Sequence, residues 1–137
     1  VYPGIKQLLR DLIKQGVLCL VATSKPEIYA KKILDYYELS NYFYYIAGAN
    51  MDGTRTDKAE VIAYALKQIP AEYSNKKVLM VGDRSHDIIG AKKNGIDCAG
   101  VLFGYGSREE LEEAGADFVA DSVEAVRNIV FLNAAKN

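Results

Sequence analysis

The segment Val78-Leu79-Met80-Val81-Gly82-Asp83-Arg84-Ser85-His86-Asp87 sets two carboxylates four positions apart, just where an apolar run turns polar. If a strand ends at Gly82–Asp83 and a helix opens near Ser85, Asp83 and Asp87 point into one crevice. Two carboxylates at such range repel each other, and a bound divalent cation relieves the repulsion. An all-oxygen donor pair suits Mg2+. A plainer reading makes Asp83 a turn residue and Asp87 a first-turn charge that complements the helix dipole. This motif alone leaves both readings open.

Two other places carry groups suited to an anion. Thr23-Ser24-Lys25-Pro26 follows the apolar run Val17–Ala22. There, hydroxyls and unpaired backbone N–H groups can meet an anion, or Ser24 simply caps the next helix. Lys58 follows Asp57, a candidate N-cap. The dipole disfavours an ammonium at that end of a helix, an objection that an anion in front of it removes; a solvated surface lysine is the alternative. His86 is the sole histidine, too few for a zinc site or a Ser–His–Asp arrangement, and is expected on an exposed helix face. Arg84 reaches an anionic substrate in one reading and is solvated in the other. The tyrosines around Tyr36, Tyr37, Tyr42, Tyr44 and Tyr45 read as helix–sheet packing and a half-wet rim, with a stacking platform for bases or sugars as the alternative.

The elements that must position these groups alternate along the chain. Ile5, Leu8, Leu9, Leu12 and Ile13 form one apolar stripe behind Pro3, with Gly16 as its stop. Val17–Ala22 reads as a strand covered on both faces, and a helix runs from Pro26 to about Leu39. Tyr44–Ala47 is a short strand, 48–56 a polar loop, and Asp57 with Glu60 a capping box opening a helix to about Ile69. Strands over Lys77–Val81, Cys98–Leu102 and Asp117–Ala120 alternate with helices over Ser85–Asn94, from Ser107 to Gly115, and from Ser122 to about Leu132. Ser107 and Glu110 have capping-box spacing too. Such alternation means parallel strands with helices on both faces, a doubly wound α/β, Rossmann-like sheet. Ligands then lie beyond the carboxyl ends of the strands, where Thr23, Ser24, Lys58, Asp83 and Asp87 all fall.

Composition narrows the classes. With 137 residues the chain suits one domain, and 50% hydrophobic against 26% charged residues predicts a packed core. Seventeen basic and eighteen acidic residues argue against a broad basic grip on nucleic acid. No apolar run nears the roughly 20 residues that cross a bilayer, and no signal peptide is visible. Two cysteines in predicted strands, Cys19 and Cys98, fit a reduced cytoplasmic protein rather than a disulfide framework.

Taken together, the apolar strand ending in Thr23, then Lys58, then Gly82-Asp83-Arg84-Ser85-His86-Asp87 resemble the haloacid dehalogenase (HAD) superfamily of phosphohydrolases, particularly its phosphoglycolate phosphatase-like group. Tyr2-Pro3-Gly4-Ile5 and Phe103-Gly104-Tyr105-Gly106-Ser107 are similar as well. The resemblance implies that Thr23 donates its hydroxyl to the substrate phosphoryl group and Ser24 its backbone N–H. It implies that Lys58 neutralises phosphoryl oxygens and nucleophile, that Asp83 ligates Mg2+, and that Asp87 holds a metal-bound water or orients Lys58. Thr23, Lys58 and Asp87 are thus the expected catalytic residues, Thr23, Ser24 and Lys58 the phosphate-binding ones, and Asp83 and Asp87 the metal ligands.

One departure matters. The family attacks phosphorus with an aspartate of an Asp-x-Asp motif on its first strand, and this sequence has none. Asn50-Met51-Asp52-Gly53-Thr54 imitates it with an amide that cannot form an aspartyl-phosphate, so it is rejected as the catalytic motif. The expectation is therefore a partial core domain over residues 1–137, without cap or nucleophile strand, from a magnesium-dependent phosphatase of small phosphorylated metabolites. The chain alone is expected to be inactive. Either another chain or fragment supplies the missing strand, or the two strands flanking its place close on each other. A non-catalytic anion- or metal-binding module, a receiver-like domain phosphorylated on Asp83, and a phosphomutase are the alternatives.

Overall fold

A computed structural model describes residues 2–134, with side chains through residue 132. Helices and strands alternate as α1 (Ile5–Lys14), β1 (Leu20–Pro26), α2 (Glu27–Tyr36), β2 (Tyr45–Ala49), α3 (Lys58–Lys67), β3 (Leu79–Gly82), α4 (Ser85–Lys93), β4 (Asp97–Val101), α5 (Arg108–Ala114), β5 (Phe118–Ala120) and α6 (Val123–Ala134). The chain divides into two compact units, one through Ile69 and one from Pro70.

In the first unit β1 and β2 pair in parallel, Leu20 opposite Tyr45 and Ala22 opposite Ala47. The apolar stripe of α1 buries Leu8, Leu9 and Leu12. Gly16, at φ 82°, lets the chain close α1 with two carbonyl bonds, Gly16 N–H to Ile13 O and Val17 N–H to Leu12 O. Val17 is therefore engaged in ending the helix, and β1 begins at Leu20 rather than at the predicted Val17. Its far end extends past Ala22 through a register shift to Pro26, opposite Ala49. The second helix also stops short of the predicted Leu39. Glu38 takes a left-handed φ of 59°, and Leu39 folds back to bond Leu34 O and bury its side chain. Helix α3 packs its buried Val61 and Ala65 on Ala47, with Leu20, Ala22, Tyr45 and Tyr64 around them.

In the second unit β3, β4 and β5 form a parallel sheet in that order, Met80 opposite Cys98 and Gly100 opposite Val119. Ile88, Ala91, Cys98 and Leu111, all fully buried, form its core between α4, β4 and α5. The α/β architecture of parallel strands expected from the alternation is present, here as one two-stranded and one three-stranded sheet. Among the described residues β1 has β2 as its one hydrogen-bonded neighbour and β3 has β4. The HAD resemblance places a further strand between β1 and β3, and these residues carry none.

Cys98 is buried in β4, whereas Cys19 lies just ahead of β1; both carry free thiols, and burial pushes both thiols up in pKa. No helix among the described residues is long and apolar enough to cross a membrane.

Candidate functional site

The last ladder pair of β3 is Gly82 opposite Gly100, so Asp83 is the first residue beyond the sheet. Its position is fixed twice over by the loop that leaves β4. The Tyr105 N–H donates to Asp83 Oδ2 at 2.9 Å, and the Gly106 N–H to the Asp83 carbonyl at 2.9 Å. This approach explains the loop's two glycines. A Cβ on Gly104 would fall 2.4 Å from Asp83 Oδ2, and one on Gly106 would fall 2.1 Å from the Asp83 carbonyl oxygen.

Asp87, in the first turn of α4, is 4% exposed. Its Oδ2 accepts the N–H groups of Asp83 at 3.0 Å and Arg84 at 3.2 Å, a bond to the helix start of the kind that anchors a first turn. Gly82 is tied to the same contact, since a Cβ there would sit 2.3 Å from the Asp87 Cβ. The structure therefore sets the Asp87 carboxylate against the backbone of Asp83 and gives Asp87 the helix-start role, one of the two readings of the motif. His86 is exposed, as expected, with Nε2 3.8 Å from Asp87 Oδ1.

Glu110 is the residue that sequence reasoning misplaced. Ser107 Oγ accepts the Glu110 N–H at 3.1 Å, as its capping-box spacing predicts. The Glu110 carboxylate does not complete the box on α5. It crosses to α4, where Oε2 accepts the Ser85 N–H at 2.7 Å and Arg84 Nε at 2.9 Å. The Arg84 bond, then the Ser85 amide, hold Glu110 below the usual carboxylate range. Arg84 is accordingly raised, chiefly by Glu110. It is paired with Glu110 rather than simply solvated.

In the first unit Thr23 and Ser24 lie in the final residues of β1, Thr23 half-buried and Ser24 exposed. Thr23 Oγ1 accepts the Lys25 N–H at 3.2 Å, so its O–H remains a donor. Ser24 does not cap α2. The cap position is Pro26, with no side-chain bond, because β1 runs two residues beyond Ser24. Lys58 opens α3 as predicted, behind a complete capping box: Asp57 Oδ1 accepts Glu60 N–H at 2.8 Å, and Glu60 Oε1 accepts Asp57 N–H at 3.3 Å.

The loop delivering Lys58 is held by a network with no periodic signature in the sequence. Arg55 Nε donates to Gly48 O at 2.8 Å, its Nη2 lies 3.6 Å from Glu27 Oε1, and its guanidinium stacks 3.6 Å over the Tyr64 ring. Tyr64 in turn shares a 3.0 Å hydroxyl contact with Tyr45, which pushes Tyr45 up to about 12. That pair is the helix–sheet packing expected of the tyrosines, whereas Tyr36, Tyr37 and Tyr44 are exposed. Asn50–Thr54 is an exposed turn in which Asp52 Oδ1 accepts the Thr54 N–H and hydroxyl. Asp52 is engaged within its own turn and does not stand at a strand end.

Residues 1–101 match the family model described as haloacid dehalogenase-like hydrolase. The chain belongs to that family. Relatives include a 5'-nucleotidase of Pseudomonas aeruginosa, 38% identical over 95% of this chain and 58% of its own length. Tyrosine-protein kinase PtkA of Mycobacterium tuberculosis is 42% identical over 86% of this chain and 40% of its own. Phosphoglycolate phosphatase of Pseudomonas fluorescens is 32% identical over 90% and 44%. Among solved structures, a predicted phosphatase from Clostridium acetobutylicum superimposes with a TM-score of 0.87 at 41% identity, covering 96% of this chain and 60% of that one. The chain thus spans 40% to 60% of the length of these relatives.

The donor set bears on the cation that the family resemblance implies. Among the described residues no group of three metal-ligating side chains occurs. Asp83 and Asp87 supply carboxylate oxygens only, and Mg2+ is commonly held by one or two carboxylates with the remaining positions filled by water or substrate. Asp83 keeps Oδ2 for the Tyr105 amide and has Oδ1 as a second oxygen. The pair fits Mg2+ as a partial ligand set.

Proposed function

We propose that this chain carries the phosphate- and metal-handling residues of a Mg2+-dependent hydrolase acting on small phosphorylated metabolites. The observation that carries the reading is the double fixation of Asp83, side chain and carbonyl both held by the 104–106 loop, with Asp87 bonded onto its backbone. Acidic groups held this firmly at a strand end suit a cation that must not move during phosphoryl transfer.

The remaining roles follow family resemblance. Asp83 and Asp87 would hold Mg2+, whose contribution when bound is to offset negative charge on the phosphoryl oxygens. Lys58 would place an ammonium on phosphoryl oxygens, to which Thr23 would donate its hydroxyl and Ser24 its N–H. No Asp-x-Asp motif occurs in these residues, so the aspartate that attacks phosphorus is proposed to come from a segment or chain outside them. The cap that would select the substrate is proposed to lie outside them too, leaving residues 1–137 as part of a HAD core. Reduced thiols suit a cytoplasmic setting. Two of the relatives' names, 5'-nucleotidase and phosphoglycolate phosphatase, support phosphomonoesters as the substrate class, nucleoside monophosphates and phosphoglycolate being the first to try.

The test is hydrolysis of a panel of phosphomonoesters by the protein with its nucleophile-bearing segment present, with and without Mg2+. The expected result is Mg2+-dependent phosphate release that Asp83→Asn abolishes without unfolding. Release that is independent of Mg2+ and indifferent to Asp83→Asn would contradict the reading.

A further inference from the structure

Arg84 is a cation built into the site. It stands between the two carboxylates in sequence, at the N-cap of α4, and its side chain is about half exposed. Guanidinium and carboxylate form strong, often bidentate pairs, and the Arg84 backbone adjoins both acids: it follows Asp83 directly and donates its N–H to Asp87 Oδ2 at 3.2 Å. What occupies it is Glu110, through Nε at 2.9 Å. The same Glu110 oxygen receives the Ser85 amide, and the Glu110 backbone is held by Ser107. The next residue, Leu111, is fully buried against the α4 core, so α5 presents Glu110 from a fixed place.

We infer that Glu110 is a positioning residue for the cation site: by holding Arg84 it keeps the protein's own guanidinium from competing with Mg2+ for Asp83 and Asp87. The inference rests on the metal reading above, and adds a determinant of affinity that touches neither carboxylate. Removing Glu110 releases Arg84 into competition, whereas removing both residues removes the competitor as well.

The experiment is a Mg2+ titration of the chain followed by amide chemical shifts of Asp83 and Arg84, with Asp83→Asn as the reference for loss of the site. Glu110→Gln should raise the Mg2+ midpoint roughly three- to five-fold, the scale of a partly exposed ion pair. Arg84→Gln added to Glu110→Gln should restore it to within about two-fold. Glu109→Gln, which removes one charge from the same helix but touches no part of this network, should leave the midpoint within about two-fold. If Glu110→Gln does not fold, Arg84→Gln alone must leave the midpoint unchanged or lower it.

The inference is overturned if Glu110→Gln matches the parent, if the double variant is as weak as the single one, if Glu109→Gln weakens binding equally, or if Arg84→Gln raises the midpoint. Failure of the metal reading looks different. In that case the parent shows no Mg2+-dependent shift, or shows one that Asp83→Asn leaves in place, and the inference falls with it.

Discussion

Replacing Gly106 by alanine tests the geometry that fixes Asp83. The new Cβ would lie 2.1 Å from the Asp83 carbonyl oxygen, more than an ångström inside ordinary contact, and the obstacle is backbone rather than a movable side chain. Either the 104–106 loop or the Asp83 turn must retreat, breaking the 2.9 Å bond from Gly106 N–H to Asp83 O. Overpacking of this kind costs about 1–3 kcal/mol, and the lost hydrogen bond about 0.5–1.5 kcal/mol more. The sum, about 1.5–4.5 kcal/mol, is a large part of the roughly 5–15 kcal/mol that holds a domain folded. Urea unfolding measures the loss, and the Tyr105 and Gly106 amide shifts show whether Asp83 has moved. Gly53→Ala is the control: Gly53 has a left-handed φ of 82° and open space around its would-be Cβ, so conformational cost alone, about 1–2 kcal/mol, should appear. A Gly106→Ala chain within about 0.5 kcal/mol of the parent, with those amides unshifted, would refute the reasoning.

Two further outcomes follow from other parts of the fold. Asp117 Oδ2 accepts the Cys98 N–H at 2.9 Å, which, with lesser help from Lys92, keeps Asp117 below the usual carboxylate range. Asp117→Ala should cost about 1–3 kcal/mol by orphaning that amide. Because the folded pKa is depressed, the contribution is fully present above the unfolded value near 4 and fades as pH falls through the lower folded value. Urea unfolding at neutral and acidic pH should show the gap between parent and variant narrowing in acid; a constant gap would count against it. Glu38→Gly removes a side chain from a left-handed φ of 59° and should stabilise the chain by up to about 1 kcal/mol, read as a higher melting temperature.

The fold was legible where local chemistry and period agreed. The Asp57–Glu60 box, the Gly16 stop and the apolar stripe of α1 each had a residue whose type demanded its place. Boundaries failed where helix endings took residues from the next element: Val17 was claimed by the local bond that ends α1, and Glu38 took a left-handed φ as Leu39 folded back to be buried. The placement of Asp83 beyond a strand end and of Asp87 in the next helix's first turn was readable because an apolar run that turns polar at a glycine marks that junction. Arg55 and Glu110 were not, because each acts on a segment distant in sequence. Arg55 reaches Gly48 and Glu27 around a loop, and Glu110 reaches Arg84 and Ser85 across 25 residues or more. For Glu110 the local capping-box pattern even pointed to the wrong partner. The glycines at 104 and 106 were the available hint, since their spacing marks a backbone that must approach something closely.

The most direct test of the whole account is a residue-by-residue amide titration of the chain with inorganic phosphate in the presence of saturating Mg2+. The account predicts that Thr23, Ser24 and Lys58 respond together, along one phosphate-binding curve that Lys58→Ala abolishes. Responses absent from Thr23, Ser24 and Lys58 at millimolar phosphate, or present there and untouched by Lys58→Ala, would contradict it.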